Sequence, residues 1–150
     1  SRQALKEMQV NEYRFQGNEG EKVPKSVQKL IVNPDIQILP DYLCHYRLLL
    51  QEVTLPQGLI KICHGAFGSC QSLLEITICS SVESIDWRAF ELCRLLTKVE
   101  FESSSSSPHQ LKTIGYSVFE SCISLERIKI PSPVNMIGAS ALRGCDLLVE

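Results

Sequence analysis

Apolar and polar positions recur along this chain at a fixed period. A shift of 23 overlays residues 62–70 on residues 85–93, and a shift of 29 then carries the pattern to residues 114–122. The repeat is L-x-x-I-x-I-P-x-x-V-x-x-I-x-x-x-A-F-x-x-C. A fixed period of roughly 20–50 residues indicates a solenoid in which each repeat is one structural unit. The units, numbered first to fifth, are 27–49, 50–72, 73–95, 96–124 and 125–147, and a sixth starts at 148–150.

Each unit opens with an alternating segment such as residues 73–78, with the sequence LLEITI. Alternation predicts a strand with one buried face, and Pro56 and Pro131 end such strands because proline has no N–H to donate. A second short extended piece follows, with Val82 and Ile85 pointing inward in the third unit. The A-F-x-x-C segment after it has the spacing of a single helical turn that faces the core.

One unit has too few inward positions to close a core alone, so neighbouring units must stack. We therefore predict an α/β repeat solenoid, mostly β. It has about five coils, with parallel strands on the concave face and short helical turns on the other.

The repeat resembles the BspA-type leucine-rich repeats found in bacterial surface proteins and in many proteins of protists and microalgae. The resemblance covers residues 27–150 and rests on five consecutive copies. It implies a right-handed leucine-rich-repeat array that is used for adhesion or protein–protein interaction, usually without catalysis.

Residues 1–26 do not fit the repeat, and we predict that they form an N-terminal cap with a degenerate coil. Residues 11–15 alternate like a strand, with Tyr13 and Phe15 inward. Val23 and Val27 would complete this coil. The end of a solenoid exposes a core and needs such a cover.

The fourth unit carries six extra residues within the segment 102–110, which reads ESSSSSPHQ. Serine and proline do not build a core, so we expect an exposed flexible loop. One interpretation is a tolerated insertion. The other is a regulatory site, because Ser107 precedes Pro108 and is a minimal proline-directed phosphoacceptor.

Four of the seven cysteines, Cys70, Cys93, Cys122 and Cys145, recur at one inward position of the repeat. Buried free cysteine packs as a small apolar side chain, so we predict reduced, structural thiols. Such thiols favour an intracellular or organellar protein over an extracellular one. Pairing between stacked coils is the alternative, because a column brings thiols close together.

Composition narrows the classes of function. Fifteen Lys and Arg against seventeen Asp and Glu give a net charge of −2, which argues against a nucleic-acid partner. No apolar run reaches the roughly 18 residues of a membrane-spanning helix. The sequence has no C-x-x-C pair, phosphate-binding glycine loop or nucleophile beside a histidine. We therefore predict no catalysis, no cofactor and no metal.

A row of residues on the side of the turns suggests a partner-binding surface. One position of the repeat places His64, Trp87 and Tyr116 on successive units, and the neighbouring position holds Tyr42 and Arg88. Aromatic residues and arginine are enriched at the cores of interfaces. Alternatively, the rings simply shield the turns from water or stack for stability.

These observations predict a non-catalytic protein–protein interaction module, either a scaffold or a docked subunit of a larger assembly. An extracellular adhesion or recognition module is the alternative, and an enzyme of unknown type is a remote one. Stacking self-association through an open end is possible as well.

Overall fold

The computed structural model describes residues 10–103 and 105–149. This part of the chain contains eleven short strands and no helix. A main strand opens each of the five repeat units and a two-residue strand follows later in the same unit, and one further main strand, β1, precedes them. The main strands are β1 (Glu12–Phe15), β2 (Lys29–Val32), β4 (Glu52–Thr54), β6 (Glu75–Ile78), β8 (Lys98–Phe101) and β10 (Arg127–Ile128). The short strands are β3 (Ile38–Leu39), β5 (Lys61–Ile62), β7 (Ser84–Ile85), β9 (Thr113–Ile114) and β11 (Met136–Ile137).

Every strand pair in these sheets is parallel, which confirms the predicted β-rich solenoid. The main strands form two sheets, β1-β2-β4 and β6-β8-β10, and the short strands form one sheet in the order β3-β5-β7-β9-β11. Lys29 pairs with Glu52 and Glu75 with Lys98, so these strands lie one period of 23 residues from their partners. Lys98 pairs with Arg127 across the longer fourth unit, because the insertion leaves the strands before the register resumes.

The first main strand lies outside the repeat yet pairs with β2 along its whole length, from Glu12 opposite Lys29 to Phe15 opposite Val32. Phe15 is buried and Tyr13 is partly buried against the core. Val23 and Val27 are buried with them. Within the described residues, the part of the chain before the repeats therefore pairs with and packs on the first coil, and residues 1–9 of the predicted cap lie outside the described residues.

Phenylalanine rings form a continuous stack through the middle of the core. The rings of Phe67 and Phe90 lie 5.3 Å apart at 12°, and those of Phe90 and Phe119 lie 5.5 Å apart at 10°. All three side chains are fully buried. Each ring packs on the equivalent ring of the next coil in the second to fourth units, while Cys44 and Leu142 occupy this position in the first and fifth.

The cysteine column is inward, as the repeat predicts. Cys70, Cys93 and Cys122 are fully buried, and each thiol donates to a backbone carbonyl of the preceding coil at 3.2 Å. All seven cysteines of the chain are free. Burial raises the pKa of the Cys44 thiol to about 12 and the pKa of Cys93 well above its usual range. These thiols therefore pack and hydrogen-bond, and they are not poised as nucleophiles.

The A-F-x-x-C turn of each coil is not helical, so the prediction of short helical turns is wrong. In the second coil the N–H groups of Gly65, Phe67 and Ser69 donate to carbonyls of the third coil at 2.7–2.9 Å. The N–H groups of Ala66 and Gly68 donate three residues back in their own coil. An α-helix directs every N–H to the residue four back. Alternate donation to the neighbouring coil replaces the helix by a ladder of tight turns.

Left-handed backbone at two positions of each turn makes this ladder possible. Tyr42, Tyr46, Arg88 and Leu92 have φ values between 56° and 59°, which are uncommon for residues other than glycine. All four N–H groups donate to carbonyls of the following coil at 2.8–3.0 Å. The left-handed conformation aims these N–H groups across the junction between coils.

The insertion is only partly an exposed loop. Ser103 and Ser107 are exposed, but His109 is 3% exposed and packs its ring edge-on against Phe101 at 5.5 Å. The N–H of Leu111 donates to Nδ1 of His109, so Nε2 carries the proton and faces the carbonyl of Ile78 at 3.4 Å. Burial lowers the pKa of His109. One polar residue of this segment thus belongs to the core.

Candidate functional site

Two rings of the predicted row meet on the surface of the turns. His64 and Trp87 lie 4.4 Å apart, centroid to centroid, with their planes at 77°. The backbone fixes this spacing, because the N–H of Gly65 donates to the carbonyl of Trp87 at 2.9 Å. Trp87 remains 41% exposed. The structure therefore brings the two residues together on a surface that a partner can reach.

Arg88 adds a positive charge to this pair. Its guanidinium carbon lies 4.7 Å from the centroid of the Trp87 ring, within cation–π distance. Glu91 holds the same side chain through an ion pair of 3.6 Å with Nε. The arginine is therefore fixed over the tryptophan while about half of its side chain stays accessible.

Tyr42 joins the row from the first coil. Its ring lies 5.9 Å from that of His64 and is more than half exposed. The ring covers Gly65, where a Cβ atom would lie 2.6 Å from the ring carbons. A side chain at position 65 would displace this ring, although the positive φ alone does not demand glycine, because Arg88 and Ser117 adopt it at the equivalent positions.

The turn of the first coil contributes two rings that the repeat pattern does not identify. His45 lies 5.2 Å from Tyr42 and 4.3 Å from Tyr46. The equivalent position to His45 in the next coil is Gly68, so a comparison between coils gives no signal. The signal lies instead within one turn, where Tyr42, His45 and Tyr46 follow one another at short spacing. We call Tyr42, His45, Tyr46, His64, Trp87 and Arg88 the turn-side patch.

Tyr116 continues the row in its backbone but not in its ring. Its carbonyl accepts the N–H of Arg88 at 3.0 Å. Its side chain is 62% exposed and has no ring–ring contact within the described chain. Tyr116 is thus a neighbour of the turn-side patch rather than a member of its ring cluster.

Polar groups anchor the base of the turn-side patch. Asp41 accepts the backbone N–H of His64 at 3.1 Å, and Asp86 pairs with Lys61 at 3.0 Å. Burial lowers the pKa of His45, which favours the neutral form of this imidazole. Arg88 is therefore the main positive charge of the turn-side patch.

The exposed face of the main strands is polar, and several of its charges between β1 and β8 pair with one another. Lys29 lies between Glu12 at 4.0 Å and Glu52 at 3.9 Å. Lys98 pairs with Glu100 at 2.9 Å. Water screens such exposed pairs, so they contribute little to stability. This face therefore offers a partner fewer apolar anchors than the turn-side patch does.

Ser107, the predicted phosphoacceptor, is exposed and lines a hollow of about 650 Å³ beside Gln57 and Ser80. Its modification stays a prediction, which the intact mass of the native protein tests. Within residues 10–103 and 105–149, no three His, Cys, Asp or Glu side chains converge on a point that could hold a metal ion. No helix in this part of the chain is long and apolar enough to cross a membrane.

Comparison with known sequences decides the family. The profile of the BspA type leucine rich repeat region matches residues 37–149 in six copies. The chain belongs to the BspA-type leucine-rich repeat family. The match covers most of the chain and confirms the resemblance in the repeat. No curated protein sequence matches the chain significantly.

Solved structures of bacterial leucine-rich repeat proteins share the fold. A leucine-rich repeat protein from T. pallidum has a TM-score of 0.74 at 25% identity, over 92% of this chain and 61% of its own. The pneumococcal vaccine antigen PcpA has a TM-score of 0.58 at 23% identity, and the match covers 95% of this chain and 33% of PcpA. A leucine-rich cell surface protein from Faecalibacterium prausnitzii gives 0.50 at 19%, over 81% and 52%. The BspA-type chain thus spans less than two thirds of each of these proteins.

Family membership also limits the range of functions. The leucine-rich repeat is generally a non-catalytic repeat fold, and its modules typically bind proteins. A solenoid has a large, rigid surface in which each coil adds a fixed set of side chains.

Proposed function

We propose that this BspA-type chain is a non-catalytic protein-binding module, a scaffold or docked subunit, that contacts its partner through the turn-side patch. One observation supports this most strongly. Trp87 lies edge-on to His64 and beneath Arg88, yet 41% of its surface remains exposed. Tryptophan, tyrosine and arginine are the side chains that most often dominate binding energy at interfaces.

The partner in this proposal is a protein, not a nucleic acid. The net charge of −2 gives no electrostatic attraction to phosphate backbones. The turn-side patch combines flat rings with a single prominent cation, Arg88. This suits a partner surface with apolar side chains around one carboxylate. Tyr116, one coil further on, would lie at the rim of the contact.

Affinity capture tests the proposal. The immobilised wild-type chain and the variant Tyr42→Ala/Trp87→Ala are incubated with extract from the source cells, and captured proteins are quantified by mass spectrometry. We expect one stoichiometric partner with the wild type and at least about tenfold less of it with the variant, as hot-spot truncations predict. Tyr116→Ala measures whether the contact extends along the row.

The matched control is Leu95→Ala/Met136→Ala, which removes two exposed apolar side chains outside the turn-side patch. It should capture the partner as well as the wild type does. If Tyr42→Ala/Trp87→Ala still captures the partner in full, the turn-side patch is not the binding surface.

A recognition module outside the cell is the second candidate. Two of the similar structures favour it, since one is of a cell surface protein and the other is of a vaccine antigen. The seven free cysteines favour the inside of a cell or organelle. Titration of the thiols, after denaturation of the protein isolated from its natural source, distinguishes the two candidates. Seven reactive thiols support the intracellular module, and markedly fewer support the extracellular one.

A further inference from the structure

A cleft of about 730 Å³ opens between the fourth and fifth coils, beside the insertion. It lies where the pairing between β8 and β10 ends. All four residues of β8 pair with β6, but only Lys98 and Val99 pair with β10. Glu100 and Phe101 line the cleft in place of further pairing. The end of β8 is therefore an accessible strand edge in the middle of the solenoid.

The walls of the cleft are apolar, and proline prevents one of them from closing against β8. Phe101 is half-buried here, whereas its partner Ile78 on β6 is fully buried. The opposite wall includes Ile130, Pro131 and Pro133. The two prolines have no N–H to donate, so this segment cannot continue the parallel ladder. The gap is thus built into the sequence.

The insertion completes the cleft from the third side. Pro108 and His109 line it, and the edge-on contact between the His109 and Phe101 rings holds these two side chains in place. His109 is held by the N–H of Leu111 and by its contact with the Ile78 carbonyl. The cleft is therefore partly formed before any ligand arrives, and its volume lies in the range of roughly 300–1,000 Å³ typical of ligand sites.

The rim of the cleft has an excess of positive charge. Lys98, Arg127 and Lys129 line it, and Glu100 is the one carboxylate among its lining residues. Glu100 is engaged by Lys98 at 2.9 Å. Arg127 and Lys129 are exposed and form no ion pair with the described residues. Two cations thus remain available to a ligand.

We propose that this cleft binds an extended peptide segment that carries a carboxylate beside apolar side chains. The peptide backbone would lie along the free end of β8, since strand addition supplies backbone hydrogen bonds that a small molecule lacks. Its apolar side chains would contact Phe101 and Ile130, and its carboxylate would face Arg127 and Lys129. The cleft and the turn-side patch share no residue, so this site is independent of the proposed function.

Selection from a phage-displayed library of random heptapeptides on the immobilised chain tests the site. We expect enrichment of sequences that place Asp or Glu next to apolar residues. The most enriched peptide, synthesised with a fluorophore, is then measured by anisotropy. Arg127→Glu/Lys129→Glu should weaken its binding about tenfold or more, because both rim charges are reversed. Replacing the peptide's Asp or Glu by Asn or Gln should weaken it similarly.

The matched control is Arg94→Glu/Lys112→Glu, which makes the same change of charge at two exposed residues that do not line the cleft. It should keep full affinity, and thermal melting shows whether each variant is folded. Absence of enrichment overturns the proposal, as does equal affinity for the two double variants. Loss of the peptide by Trp87→Ala would assign it to the turn-side patch and overturn the cleft.

Discussion

The inner and outer sides of the same turn differ in how much they vary from coil to coil. On the inner side, Ala66-Phe67 recurs as Ala89-Phe90, and both pairs are fully buried. On the outer side one position holds His64, then Trp87, then Tyr116. An inward side chain packs on its counterpart one coil away, so it stays apolar and changes only among shapes that still pack, as with Val118-Phe119 in the fourth unit. An outward side chain meets no such constraint and is free to serve recognition.

This difference predicts that a mutation on the inner side costs far more stability than one on the outer side. Phe90→Ala removes the central ring of the stack and leaves Phe67 and Phe119 without a partner between them. We expect a loss of about 3–5 kcal/mol in the free energy of unfolding, as for other buried phenylalanines. Denaturant melts monitored by circular dichroism measure the change.

Trp87→Ala is the matched variant on the outer side of the same turn. It should cost less than about 1 kcal/mol, because the ring is partly exposed and loses mainly the contacts with His64 and Arg88. If the two variants are equally destabilised, the turn-side patch is a structural element rather than a binding surface.

A smaller loss of stability than that of Phe90→Ala is expected for a substitution at a point where the backbones of two coils are in contact. Gly138 of the fifth coil lies so close to the fourth that a Cβ atom would meet backbone atoms of Gly115 and Tyr116. Gly138→Ala should therefore cost about 1–3 kcal/mol, the range for overpacking. Gly58→Ala is the control, since nothing lies within 4 Å of the added methyl group. A neutral Gly138→Ala would mean that the coils can separate without cost.

The smallest effect concerns pH. Burial lowers the folded-state pKa of His109, and the contact with the Ile78 carbonyl and the charge of Glu102 only partly oppose it. Between the lowered pKa and the ordinary value of 6.5 the unfolded chain binds more protons, so stability falls as pH drops below about 6.5. The melting temperature of His109→Gln should therefore fall less between pH 7.5 and pH 5.5 than that of the wild type. Parallel pH curves for the two proteins would contradict this. His45, whose pKa burial also lowers, contributes to the slope that remains.

The regular part of the fold could be predicted from the sequence because its cause is periodic. Leu30, Ile76 and Phe90 face inward for the same reason as their copies, and the period of 23 gives the register directly. The pairing of Lys98 with Arg127 across the insertion also follows from the repeat.

The turn conformation was not predictable by the same means. The A-F-x-x-C spacing suits a helix, but the left-handed positions hold Tyr42, Gly65, Arg88 and Ser117 in turn, with no common residue type. Hydrogen bonds to the next coil select this conformation, and such bonds have no local sequence signal. The serine-rich composition of the insertion likewise gave the wrong prediction for His109. This side chain is buried because it packs against Phe101, which the serines around it do not indicate.

The alternating hydrogen bonds of the turns have a mechanical consequence. Every second N–H of a turn is held by the next coil, so a junction between coils is broken as a unit and not bond by bond. Stretched from its two ends, the chain should lengthen in discrete jumps, each releasing one coil. An ordinary coil adds roughly 80 Å of extended chain, whereas the longer fourth coil adds roughly 100 Å. One larger jump in a force-extension trace would mark the coil that carries the insertion.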